Sequence, residues 1–238
     1  PDKVIVNKTI SRRSAIFWHW LLSAIGLLLS GWISYQLGNY FVLLGNFLCT
    51  TLLWVYSTTY KRRLLVGNVL ISAMTAWVIL VLLIAELPGW WNGELNNAME
   101  KNAAARLIRI CLLYASFAFI ISLVREVVKD MEDLEGDRQA QCSTLPIVFG
   151  INAAKIFAAN WLILLMVLLL VTQVYVLQFG WWWSAAYIFM AVLLPLAFIF
   201  RALFVANNAA AYGRVSRQIK WTMLSGILSM IFFLWYAH

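Results

Sequence analysis

Six carboxylates fall within twelve consecutive positions: Glu126, Asp130, Glu132, Asp133, Glu135 and Asp137. The 238-residue chain has ten acidic residues in all, so this one stretch holds most of them. On a helix, which turns about 100° per residue, Glu126, Asp130, Asp133 and Asp137 fall within an arc of roughly 60°, and Glu132 and Glu135 point elsewhere. Carboxylates crowded on one face repel each other and resist ionising together. A divalent cation removes that repulsion. Mg²⁺ takes one or two carboxylates and fills its octahedron with water and phosphate oxygens. The cluster therefore predicts a Mg²⁺–diphosphate site, and the competing reading is a solvated loop helix with incidental charge.

The elements that must position these residues are membrane helices. The chain is 63% hydrophobic and only 12% charged, about half the usual charged share, and its mean hydropathy is +0.82. Residues 14–60 contain no Lys, Arg, Asp or Glu, and neither do 64–85, 110–124, 156–200 and 221–238. A spanning helix needs about 20 apolar residues. Breaks divide these runs into seven expected spans, near 14–36, 40–60, 65–86, 103–125, 156–177, 181–202 and 218–237. Leu37-Gly38-Asn39 and Gln178-Phe179-Gly180 are expected as tight turns between helices. The runs are continuous and do not alternate with period two, which argues against a β-barrel. The expected fold is all-α, a polytopic membrane helix bundle forming one domain over residues 1–238. In such a chain an ionisable cluster is costly and is a functional hypothesis by default.

The net charge of +8 reads as a topology signal and not as a nucleic-acid footprint. With seven spans, 15 of the 18 Lys and Arg fall on one side of the bilayer, and only Lys101, Arg106 and Arg109 lie toward the other. The positive-inside rule makes the rich side, which carries the carboxylates, cytoplasmic. Trp90, Trp91, Trp181, Trp182 and Trp183 form an expected interfacial belt on the opposite face. Cys49, Cys111 and Cys142 are scattered and carry neither metal nor disulfide spacing. Arg214, Arg217 and Lys220 are expected to mark the cytoplasmic edge of the last span.

Two blocks of sequence carry a family resemblance. The first runs from Arg125-Glu126-Val127-Val128-Lys129-Asp130 through Leu134-Glu135-Gly136-Asp137 to Ser143-Thr144-Leu145-Pro146 and Gly150. It resembles the second aspartate-rich motif of the UbiA-type intramembrane prenyltransferases. The second, Tyr56-Ser57-Thr58-Thr59-Tyr60-Lys61 followed by Gly67-Asn68, resembles that family's Tyr-Ser-x-x-x-Lys segment. The resemblance covers essentially the whole chain. It implies a nine-helix fold around a central cavity, of which about seven helices are expected here. The family's first aspartate-rich motif is not found, and Pro1-Asp2-Lys3 resembles the loop that follows it. A chain beginning at Pro1 is therefore expected to lack two helices and half of the metal ligands, and to be inactive or nearly so without them.

The resemblance further implies Mg²⁺-dependent transfer of a prenyl group from a polyprenyl diphosphate to a lipophilic acceptor in the bilayer. Asp130, Asp133 and Asp137 would hold the metal, with Glu126 supporting them. Lys61, Lys129 and Arg125 would contact the diphosphate; the alternatives are an orientation signal for Lys61 and intrahelical ion pairs for the other two. Tyr56 would stabilise the allylic cation or position the acceptor, or is an interfacial anchor. Asn68 and Ser57 would hydrogen-bond substrate, or act as glue between helices. The short loops and acidic wording most resemble the digeranylgeranylglyceryl phosphate synthase-like branch, which prenylates a glycerol-phosphate lipid from geranylgeranyl diphosphate. Aromatic acceptors of quinone synthesis, 4-hydroxybenzoate or a naphthoate, are the alternative. A non-enzymatic transporter or scaffold is a third reading. It is disfavoured because transporters tend to place their ionisable sites near the midplane, and no acidic residue lies in the interior of an expected span, Glu86 standing at the very end of the third.

Overall fold

Gly38 and Asn39 show how the apolar sequence is cut into helices. Gly38 adopts φ +61°, in the left-handed region, and ends helix α1 (Arg12–Leu37). The Asn39 side chain accepts from the Phe41 backbone N–H and starts α2 (Tyr40–Thr58). Both satisfy backbone groups that a helix end leaves open. The computed structural model describes residues 11–60, 63–86 and 98–236. The helices that follow are α3 (Val66–Glu86), α4 (Ala98–Glu132), α5 (Leu134–Gln139), α6 (Leu145–Val148), α7 (Ile151–Leu177) and α8 (Trp182–Ile188). A π-helical segment, Phe189–Leu193, joins α8 to α9 (Leu194–Val205). Helices α10 (Ala209–Leu228) and α11 (Ile231–Tyr236) follow.

Six of the described helices are long and apolar enough to cross a membrane: Arg13–Leu37, Tyr40–Thr58, Val66–Glu86, Glu100–Glu132, Ile151–Leu177 and Trp182–Val205. Large apolar side chains stand exposed along them, Trp20, Leu28 and Trp32 on α1 among others. This is the surface of an integral membrane protein, since water-soluble monomers rarely expose contiguous apolar faces of this extent. Both expected turns form, with Gly180 at φ +74° in the second. The region expected to hold the seventh span, 218–237, is organised differently. The Asn208 side chain accepts from Ala211 N at 2.8 Å and starts α10 nine residues earlier than expected. The helix ends near Ser229, whose hydroxyl donates to Gly226 O at 2.6 Å, and α11 follows. Arg214, Arg217 and Lys220 thus lie inside α10 rather than at the start of a span.

The chain divides into two compact units. The first comprises residues 11–59 and 74–86 and 98–115 of the described chain. Its interior is a polar network. Asn46 Nδ2 donates to Ser30 Oγ at 2.9 Å, and Trp77 Nε1 donates to Asn46 Oδ1 at 3.2 Å. Asn39 Nδ2 donates to Ile84 O at 2.9 Å. In lipid, such side-chain bonds hold helices together where no hydrophobic difference does.

The second unit comprises residues 60, 63–73 and 116–236 of the described chain. Its core is a continuous cluster that includes Val124, Val127, Val128 and Met131 from α4, Ala158 and Leu162 from α7, Leu196 and Leu203 from α9, and Val215 and Ile219 from α10. The α4 residues recur at helical spacing, so one face of α4 is buried and its flanks carry the charges. Lys155 is buried near the start of α7. Its Nζ donates to Phe204 O at 3.1 Å and Ala206 O at 2.7 Å, and lies 5.7 Å from the centre of the Tyr212 ring. It thereby satisfies carbonyls at the end of α9 that have no helical partner. Lys155→Met leaves them unpaired. We expect it to lower the unfolding free energy by about 2–4 kcal/mol, measured by unfolding in mixed detergent–SDS micelles, with Lys155→Arg losing less.

Candidate functional site

Helix α4 has 35 residues, a length of about 52 Å, against a hydrocarbon core of about 30 Å. It has the reach to carry its last turns beyond the core, and those turns hold the carboxylates. The helix ends at Glu132, and Asp133, at φ −93° and ψ 10°, stands between α4 and α5. Backbone bonds nonetheless run from Asp133 N to Lys129 O and from Asp137 N to Asp133 O, each at 2.9 Å. The 60° arc expected of one continuous helix is therefore bent at Asp133, with i→i−4 pairing kept on both sides.

Asp130 is partly buried, and Asn68 Nδ2 donates to its Oδ2 at 2.8 Å. This bond joins the two sequence blocks, 62 positions apart. Asn68 sits on the first turn of α3, just after Leu65, which takes a left-handed φ of +53°. The negative charges of Asp137 and Glu126 bear on Asp130, and the positive charge of Lys129 opposes them. Arg125 and Glu126 form an ion pair, the intrahelical alternative for Arg125. Lys129 is exposed. From α10, Gly213 approaches the cluster: a Cβ there would lie 3.0 Å from Glu132 Oε1. Sequence reading missed Gly213, because no local pattern shows which glycine will meet a side chain from a distant helix. Of the two readings of Asn68, a substrate contact or glue between helices, its amide makes a bond between helices, to the Asp130 carboxylate.

The remaining candidates belong to the first unit or lie outside the described residues. Tyr56 and Ser57 belong to the last turns of α2, in the first unit. The Ser57 hydroxyl donates within its own helix, to Trp54 O at 2.9 Å. Lys61 and Arg62 lie outside the described residues, as do Trp90 and Trp91 of the expected belt. The Arg63 guanidinium lies 5.6 Å from the centre of the Tyr60 ring, a cation–π distance.

Among the described residues no three His, Cys, Asp or Glu side chains converge into a closed metal cage. Mg²⁺ does not require one, since one or two carboxylates suffice when phosphate and water complete the shell. Asp130, with Oδ1 and a lone pair of Oδ2 left by Asn68, and Asp137, whose like charge bears on it, supply the hard oxygen donors that this cation takes. The residues present fit it as an open site. Asn68→Ala removes the group that orients Asp130, and such losses cost about 10- to 100-fold in metal affinity. We expect the Mg²⁺ concentration for half-maximal activity to rise by that factor, read from a metal titration.

Residues 1–224 match the model of the UbiA prenyltransferase family. The chain belongs to that family. This prenyltransferase is 31% identical over 223 residues to a digeranylgeranylglyceryl phosphate synthase of Methanothermobacter thermautotrophicus, covering 92% of the chain and 69% of that relative. A protein of the same name from Methanosphaera stadtmanae is 23% identical over 231 residues, 96% of the chain and 74% of the relative. A solved structure described as a digeranylgeranylglyceryl phosphate synthase in membranes shares the fold, with a TM-score of 0.56 and 23% identity over 94% of this chain and 75% of that one.

Proposed function

We propose that this prenyltransferase moves a geranylgeranyl group from geranylgeranyl diphosphate to the hydroxyl of a lipophilic acceptor, with geranylgeranylglyceryl phosphate as the preferred one. The observation that carries the reading is the Asn68–Asp130 hydrogen bond, since two motif blocks converge on one carboxylate. The names of the relatives support the choice of acceptor. Asp130, Asp133 and Asp137 are the proposed Mg²⁺ ligands, and bound Mg²⁺ supplies charge neutralisation to the diphosphate. Lys61, Lys129 and the guanidinium donors of Arg125 left by Glu126 bind the phosphate oxygens. The bond between the allylic carbon and the diphosphate oxygen breaks, and its electron pair leaves with the diphosphate. The acceptor oxygen bonds to the freed carbon, and its proton passes to the released diphosphate. The Tyr56 ring is the candidate stabiliser of the allylic cation, and Ser57 a candidate hydrogen-bonding group for the acceptor. The apolar helices keep water from the cation. The charge asymmetry of the loops supports a site facing the cytoplasm, in the cytoplasmic membrane.

The test is Mg²⁺-dependent transfer from labelled geranylgeranyl diphosphate, by the purified protein, to geranylgeranylglyceryl phosphate, 4-hydroxybenzoate and a naphthoate in parallel. Transfer to the glycerol-phosphate lipid alone supports the reading. Transfer to an aromatic acceptor alone moves this chain to quinone synthesis.

A further inference from the structure

Helix α10 carries basic residues on two sides. Gly213, Arg217 and Lys220 lie within an arc of roughly 60°, on the side where Gly213 meets Glu132. Arg214 lies about 100° further round and lines a groove between α9 and α10. The groove has two parts, of about 620 Å³ and about 330 Å³, which share Ala202, Val205 and Gln218.

Its two ends differ in chemistry. Near the α9–α10 loop it is lined by Arg214 with Asn207 and Asn208, and Arg201 lines the larger part beside Ala202, which both parts share. Away from the loop it is lined by exposed Phe198 and Trp221. At its far end stand Ala191 and Pro195. Pro195 has no N–H to return to the carbonyl four residues before it, and Ala191 falls in the π-helical segment. A π-bulge followed by proline displaces the helix wall and opens space beside α10. No Asp or Glu lines either part. Among the described residues neither Arg201 nor Arg214 forms an ion pair. One wall belongs to the span Trp182–Val205, so the groove borders the bilayer and its basic end lies toward a helix terminus.

We propose that this groove binds an anionic phospholipid of the surrounding bilayer, its phosphate at Arg201 and Arg214 and an acyl chain along Phe198 and Trp221. Positive charge without a carboxylate partner selects an anion, and the apolar length below it selects one with a hydrocarbon tail. Basic pockets between membrane helices recognise lipid headgroups in this way. The proposal does not depend on which acceptor is prenylated.

Native mass spectrometry of the purified full chain, titrated with dioleoylphosphatidylglycerol or dioleoylphosphatidylcholine, tests this. The anionic lipid binds more tightly to the parent. Arg201→Gln and Arg214→Gln each weaken it about fivefold, and the pair about 25-fold, with circular dichroism unchanged. Arg201→Lys stays near the parent, and Trp221→Ala weakens both lipids. Excess inorganic phosphate does not displace the lipid. The proposal is overturned if the double variant binds the anionic lipid as the parent does. It is equally overturned if Arg13→Gln, in the first turn of α1, causes the same loss, or if inorganic phosphate displaces the lipid.

Discussion

Asp130→Asn lowers prenyl transfer by about 10²–10³-fold, the loss expected when one group stabilising a developing charge is removed from a preorganised site. The substitution isolates charge from shape. Asparagine is isosteric with aspartate, and its carbonyl oxygen still accepts from Asn68 Nδ2, so the bond seen at 2.8 Å can persist. What disappears is the negative charge on which the proposed metal site relies and, with it, the repulsion from Asp137 and Glu126. Relief of that repulsion favours the folded protein, so the variant should be at least as stable as the parent while being far less active. Opposite movement of stability and rate marks a site residue, because a structural residue loses both together. Asp130→Ala adds an unpaired Asn68 amide and should cost stability as well. Steady-state transfer assays with melting curves on the same preparations decide the matter. Activity within tenfold of the parent in Asp130→Asn would remove this carboxylate from the metal site.

Gly45→Val destabilises the first unit by about 3 kcal/mol. A Cβ on Gly45 would lie 2.0 Å from Trp77 Cζ2 and 2.4 Å from Cη2, far inside van der Waals contact. The indole cannot simply swing aside, because its Nε1 is bonded to Asn46 Oδ1, which belongs to a network reaching Ser30. Either the ring moves and that bond is lost, at about 1 kcal/mol, or α2 and α3 separate, at about 1–3 kcal/mol for overpacking. Removing a helical glycine gains at most about 1 kcal/mol of propensity, and less for β-branched valine than for alanine. The steric term wins. Unfolding in mixed detergent–SDS micelles reads the loss. Trp77→Leu in the Gly45→Val background should recover part of it, because the rescue removes the ring atoms that clash. If Gly45→Val melts with the parent, close packing at this position contributes nothing.

The membrane character, the positions of the long helices and the turns at Gly38 and Gly180 were legible in the sequence. They follow from local rules: a span needs a charge-free run, and a left-handed turn wants glycine. The bend at Asp133 was not legible, because a periodicity argument extends a helix until a strong breaker appears, and Glu132-Asp133-Leu134 contains none. The early start of α10 was hidden for a related reason. Asn208 is a good cap, but the charged residues that follow it made 209–217 read as loop.

The candidate site divides in the same way. Composition and spacing alone determined that this chain is an integral membrane protein with its carboxylates gathered at one helix end, since charge in an apolar chain is costly and is kept where it is used. Which carboxylate meets Asn68, which guanidinium is held by Glu126, and that Gly213 lets α10 come close to Glu132 were decided by the tertiary structure. Except for Arg125 and Glu126, these contacts join residues far apart in the chain. No local pattern encodes such a distance, and only the packing of the buried faces of α4, α7, α9 and α10 sets it.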